Sequence, residues 1–300
     1  MNRLTLNGFR LTLAALTLIV VGGCAGLDLA RIPPLDTSST QPIEGKVVWH
    51  DLLTTDPKAA EYFYSKLFGW EFRDQDLGRG LNYTLIEHEG RVIGGLVDAR
   101  GIKAAANVSR WIPVLSIAEM DAAIAAVRAG GGDVLQPPLN IPQRGTVAVI
   151  ADPLGAILTL LEPLEGDPVD RVAKPGDWLW NEIWSSDPQA TMAFYQSLVP
   201  EYSVEHVGET DGYYYFRSSG APRVGVMQKP VDRMVDTWMG YVRVSNPAET
   251  SSDAEQLGGE VLMPARENPR GGEVAILNDP SGAGFLVQKW NPDSEAADEQ

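Results

Sequence analysis

Trp49 to Tyr64 read WHDLLTTDPKAAEYFY, and Trp180 to Tyr195 read WNEIWSSDPQATMAFY. The two stretches align without a gap at an offset of 131, sharing the first Trp, the Asp-Pro pair, an Ala two residues on and the closing Phe-Tyr. Each is a short apolar run followed by a helix start. Asp56 is placed to cap the helix, and Pro57 suits its first turn, where a missing N–H costs nothing. Ala59, Phe63 and Leu67 then fall on one helical stripe.

Working outward, Asp152-Pro153 with Gly155-Ala156 recurs as Asp279-Pro280 with Gly282-Ala283, and Trp111 recurs as Trp238, both at an offset of 127. Self-similarity at a fixed spacing marks a duplicated architecture. The body is two copies of one domain, 45–163 and 178–290, joined by a Pro- and charge-rich linker, 164–177. Each copy halves again, because Trp49 precedes Trp111 by 62 residues and Trp180 precedes Trp238 by 58. Met120, Ile124 and Val127 make a second helical stripe, ended by Gly130-Gly131-Gly132. The fourth repeat is degraded, with polar residues running from Pro247 to Gln256. Strand candidates fall at 83–87, 92–97, 146–151, 157–161, 213–217, 224–227 and 285–288.

The ends read differently. Arg3 and Arg10 precede the apolar run Leu11–Val21, which is too short to span a bilayer and fits a secretory signal. It closes on Val21-Gly22-Gly23-Cys24, and Cys24 is the chain's one cysteine. The pattern resembles a bacterial lipobox. That resemblance implies cleavage after residue 23, acylation of Cys24, a tether over 24–44 and, with Ala25 following, an outer-membrane anchor facing the periplasm. Two or three acyl chains hold a protein stably in a membrane. The tail, 291–300, is acidic.

Composition narrows the chemistry. The net charge of −16 argues against nucleic acid as a partner. Three histidines and one cysteine leave no Cys/His cluster. Phosphate-loop, nucleophile-elbow and dinucleotide motifs are absent from the sequence.

The order β-α-β-β-β, with Asp-Pro-x-x-Ala-x-x-Phe-Tyr early and Asp-Pro-x-Gly-Ala late, resembles the vicinal oxygen chelate superfamily. Its members include glyoxalase I, bleomycin-resistance proteins and extradiol dioxygenases. Phe68-Gly69-Trp70 matches the branch related to lactoylglutathione lyase. The resemblance implies an α+β protein of two tandem domains, each a pair of βαβββ modules forming a cup-shaped mixed sheet with helices outside. In the metal-dependent members His, Gln or Glu on the first strands and Glu near the module ends hold a divalent ion. The motif-aligned first-strand positions here are Trp49, Trp111, Trp180 and Trp238, and the late positions are Thr159 and Leu286. An indole offers a donor and no lone pair.

The expectation is therefore metal-free cups, each with one carboxylate, Asp51 or Glu182, as structural acceptor or general base. Trp49, Tyr83, Trp111, Thr159, Trp180, Tyr214 and Trp238 would line pockets for a small, partly aromatic ligand. In the opposite strand register, His50 and Glu162 would meet as metal ligands, giving a lyase, isomerase or dioxygenase. A third reading is a structural lipoprotein with filled cups. His88 and His206 carry no pattern, and the oligomeric state is open.

Overall fold

A computed structural model describes residues 27–36, 41–102, 107–206, 212–268 and 271–290. The signal region, Cys24 and the acidic tail lie outside the described residues. Among those described, no helix is long and apolar enough to cross a membrane.

The first domain runs β1 (Val47–Thr54), α1 (Pro57–Phe68), β2 (Glu71–Asp76), β3 (Asn82–His88), β4 (Arg91–Asp98), β5 (Arg110–Ser116), α2 (Met120–Ala129), β6 (Asp133–Ile141), β7 (Gly145–Ala151) and β8 (Ile157–Pro163). The second repeats it as β9 (Trp178–Ser185), α3 (Pro188–Leu198), β10 (Ser203–His206), β11 (Tyr213–Ser218), β12 (Ala221–Gln228), β13 (Thr237–Arg243), α4 (Pro247–Gln256), β14 (Glu260–Glu267), β15 (Glu273–Asn278) and β16 (Gly284–Lys289). Each domain forms one eight-stranded mixed sheet, ordered β2-β3-β4-β1-β5-β8-β7-β6 and β10-β11-β12-β9-β13-β16-β15-β14. The first strands of the two modules, β1 and β5, pair antiparallel at the centre, and each also pairs in parallel with its module's last strand.

Asp56 and Asp187 accept the amides of Ala59 and Ala190 at 3.1 and 3.0 Å, so both Asp-Pro pairs start helices as their chemistry demands. Gly69 ends α1 in the left-handed region, φ 71°, where a side chain would be strained. The buried face of α1 centres on Ala60, Phe63, Tyr64 and Phe68. The fourth repeat also keeps its helix. Asn246 caps it through the Glu249 amide and Pro247 opens it, while only Pro247, Ser251 and Ala254 are buried. Its polar residues are therefore a solvated surface rather than a breakdown of the repeat.

The two domains pack back to back through their helices. One apolar cluster joins Leu115, Ile150 and Leu160 of the first sheet to α2, α3 and Val224, Val226 and Trp238 of the second. Another joins Leu52, Ile86 and Trp111 to α1, Ala254 of α4 and Leu277, Phe285 and Val287. The helices lie outside both cups but inside the molecule. Each sheet's opposite face is a cup, and the two cups point away from each other.

The stretch expected as a tether is partly docked. Ile32 and Leu35 are 7% and 6% exposed and pack in the first cup with Trp49, Tyr83, Leu85, Val114 and Leu161. Leu29, Ile32 and Leu35 recur every third residue, which gives this short segment one apolar side.

Candidate functional site

In the first cup a β-bulge between Val47 and Trp49 shifts the register. Val47 turns to the helices, while Trp49, Asp51 and Leu53 face the cup. Tyr83 on β3 donates its hydroxyl to Asp51 Oδ1 at 2.5 Å, and the Trp49 indole donates to the same oxygen at 3.0 Å. The indole also reaches the Tyr83 hydroxyl at 3.0 Å. Burial pushes the Asp51 carboxyl above its ordinary value, opposed by Tyr83, the Arg144 guanidinium and Trp49. Burial and the nearby Asp51 charge also push the Tyr83 phenol well up. Arg144, from the β6–β7 turn, lies 4.1 Å over the Trp49 ring. Thr159 on β8 pairs with Val114 and Val149 on this face.

Gly95 of β4 sits opposite Asp51. A Cβ there would lie 1.9 Å from the Tyr83 hydroxyl and 2.6 Å from Asp51 Oδ1. Gly95→Ala should therefore break the phenol–carboxylate pair at a cost of about 2 kcal/mol, the range for overpacking. Equilibrium denaturation measures the cost, and unchanged stability would show that the pair yields freely.

The second cup is built on the same scheme with more donors. Glu182 is 1% exposed. Its Oε1 accepts from Tyr213 at 2.9 Å, and its Oε2 from Tyr241 at 2.5 Å and Trp184 at 2.9 Å. Trp180 donates to the Tyr213 hydroxyl at 3.1 Å. Gly225 repeats the role of Gly95, since a Cβ there would lie 2.4 Å from that hydroxyl. Around this cluster lie Met227, Met234, Met239, Met263, Ile276 and Leu286. Tyr241 stands where the first cup has Val114, and Trp184 where it has Leu53.

Several expected positions need correction. Trp111 and Trp238 face the helices, because Trp111 pairs with Leu52 and Trp238 with Ile183. A one-residue slip changes the face, so the Trp repeat carried the wrong parity for these two. Trp111 donates to the Tyr64 hydroxyl at 2.9 Å, which donates to Asp279 of the other domain at 3.2 Å. Trp238 donates to the Tyr195 hydroxyl at 3.0 Å, and Tyr195 to Asp152 at 3.3 Å. The Phe-Tyr and late Asp-Pro motifs thus meet reciprocally across the domain boundary. Tyr214 also faces the helices, near Gln189 and His206, and its neighbour Tyr213 is the counterpart of Tyr83.

His50 and Glu162 do not converge. The His50 ring stacks on Trp178 at 3.9 Å and shares a 2.7 Å hydrogen bond with Asn181, its own counterpart in the repeat. Burial drives its pKa down to about 4. Glu162 accepts the Met120 amide at the start of α2. His88 pairs with Asp177 of the linker, alongside Arg91.

The donors on the cups do not fit a divalent ion. On the first and last strands of the modules, the first cup offers Asp51 with Trp49, Gly95, Val97, Ile112, Val114, Thr159 and Leu161. The second offers Glu182 with Trp180, Gly225, Met227, Met239, Tyr241, Leu286 and Gln288, whose amide donates to Gly271. Among the described residues no three His, Cys, Asp or Glu side chains gather as a metal site. One carboxylate already occupied by phenol and indole donors is a poor cage for a hard cation.

No family model matches the chain. It is 29% identical over 251 residues to a Mycobacterium tuberculosis protein provisionally named glyoxylase CFP32, covering 83% of this chain and 96% of that one. It is equally identical over 266 residues to the anthracycline biosynthesis protein DnrV of Streptomyces peucetius, covering 81% and 92%. Among solved structures, the Mn(II)-bound glyoxalase of Novosphingobium aromaticivorans superposes with a TM-score of 0.56 at 16% identity, covering 83% and 82%. An extradiol ring-cleaving dioxygenase of B. fuscum gives 0.57 at 13%, covering 87% and 77%. At these identities the structural likeness speaks to the fold. Two eight-stranded cups and paired βαβββ modules give this chain the tandem fold of the vicinal oxygen chelate superfamily, and in sequence it is similar to relatives named for glyoxylase.

Proposed function

We propose that the protein is a metal-independent small-molecule binder of the glyoxalase-like type, with its ligand seated in the second cup. The observation that carries this reading is the partly buried apolar surface of Trp180, Met227, Met234, Met263 and Ile276 packed beside the hydrogen-bonded Glu182 cluster. Thioethers and indoles make an adaptable apolar surface suited to flat molecules. The kinship with an anthracycline biosynthesis protein agrees with a partly aromatic ligand, since anthracyclines are polycyclic and aromatic. The N-terminal sequence pattern supports acylation at Cys24 and an envelope location, which Cys24→Ser would abolish by releasing the protein from membranes.

The second reading, a glyoxalase-like lyase, isomerase or dioxygenase, is favoured by the names of the relatives. Asp51 suits it best, because burial raises its affinity for a proton and, among the described residues, its donors Tyr83 and Trp49 both reach Oδ1. In that case Asp51→Asn should abolish turnover.

Metal analysis separates the readings. The purified protein should carry Mn, Fe, Ni and Zn well below one per chain, and planar aromatic acids should quench indole fluorescence in a way that Trp180→Phe removes. A stoichiometric ion removed only by chelator would overturn metal independence.

A further inference from the structure

We propose that the first cup is a binding site for an extended apolar peptide, filled by the chain's own residues 28–36, which shut it to other molecules. This goes beyond the reading of the second cup and does not depend on what that cup binds.

The segment is amphipathic at a three-residue spacing. Ile32 and Leu35 are buried, while Ala30, Arg31, Pro34 and Asp36 are exposed. A single turn of 3-10 helix, Leu29–Arg31, starts it, and the Ile32 amide closes that turn on the Leu29 carbonyl. Pro33-Pro34 then holds the chain extended at little conformational cost, as proline-rich ligands do. Arg144 ties segment to cup. Its Nε and Nη2 donate to the Pro33 carbonyl at 3.2 and 3.0 Å, while its guanidinium lies over Trp49, the indole that holds Asp51.

No ladder of strand bonds joins this segment to the sheet. Among the described residues 28–36, the one backbone bond to the sheet's loops is the Asp28 amide to the Leu77 carbonyl, 2.8 Å. The side chains of Leu29, Ile32 and Leu35, the Arg144 guanidinium and an Asp36–Arg171 ion pair at 4.0 Å do the rest, so the segment can leave without unpairing a strand. Among the described residues the second cup shows no counterpart to this device. Gly271 stands at the position equivalent to Arg144, and no described segment docks over Trp180. The duplicated fold thus differs between its cups: the first holds residues 28–36, while the second is packed by Met234 of its own β12–β13 loop.

The test uses the full chain. Amide hydrogen exchange should find Asp28 and Ile32 protected in the native protein. Ile32→Asp with Leu35→Asp should lose that protection, while the amides of β1 and β5 and the circular dichroism spectrum stay unchanged. Binding of 1-anilinonaphthalene-8-sulfonate should rise by one molecule per chain in the double variant. A synthetic peptide of residues 27–36 should displace that added dye and leave any dye in the second cup bound. Arg144→Ala should give a partial form of the same change. The proposal fails if residues 28–36 exchange freely in the native chain. It fails equally if the double variant binds no additional dye, or if the peptide does not displace it. Dye already bound to the native chain reports on the second cup alone, so the two readings stand or fall separately.

Discussion

Glu182→Ala should lower the free energy of unfolding by about 3 kcal/mol, the range for leaving buried donors without their acceptor and opening a cavity beside them. Three donors converge on this carboxylate from three strands: Tyr213 on β11, Tyr241 on β13 and Trp184 on β9. Removing it leaves phenol and indole hydrogens facing one another in a space closed to bulk water. Their desolvation is then uncompensated, and a cavity is added. Glu182→Gln keeps the shape and one acceptor, so it should cost only about 1–2 kcal/mol. Urea denaturation of the three proteins measures both values. If Ala and Gln cost the same small amount, the cluster is loosely held and the second cup is not pre-formed.

Acidification should destabilise the protein through His50. Its pKa in the folded chain is about 4 against an ordinary 6.5, because burial disfavours the imidazolium. Above pH 6.5 neither folded nor unfolded chain holds the proton, so His50 costs nothing. Below it the unfolded chain binds a proton that the folded one refuses, and stability falls until the pH reaches about 4. The loss amounts to roughly 2–3 kcal/mol by pH 4.5. Asp51, Asp152 and Asp279 act in the opposite sense. Burial raises all three, so the folded chain takes their protons first and gains stability as pH falls through the raised values toward 3.8. The His50 contribution is therefore read as a difference. The stability of the native chain relative to His50→Gln should fall by roughly 2–3 kcal/mol between pH 6.5 and 4.5. Parallel curves would mean that the ring is solvated in the folded state.

The duplication, the Asp-Pro caps and the first-strand indole with its carboxylate two residues on were legible because each rests on local chemistry or strict spacing. Trp49, Asp51 and Tyr83 share one cup, as do Trp180 and Glu182. The edge strands β2 and β10 escaped because they are polar, and β6 and β14 because Pro137, Pro138 and Pro264 interrupt their runs. Tyr213-Tyr214-Tyr215 offers the same chemistry at both parities, so this stretch alone does not separate Tyr214 from Tyr213. Only its pairing with β12 decides the face. The offset of 130 from Tyr83 to Tyr213 could have found it, had the gap beside the 131-residue repeat been allowed. Tyr241 and Arg144 carried no such hint, since their counterparts Val114 and Gly271 break the repeat.

The crossed bonds from Tyr64 to Asp279 and from Tyr195 to Asp152 bear on how such a chain arose. They are what a single-copy ancestor would make with its twin about a dyad, the same patch engaging itself twice, and the His50–Asn181 contact lies where that axis would pass. Fusion of two such copies would make the partnership permanent and free each half to drift. Severing the chain between residues 163 and 178 should accordingly yield fragments that are sticky apart and recombine when mixed.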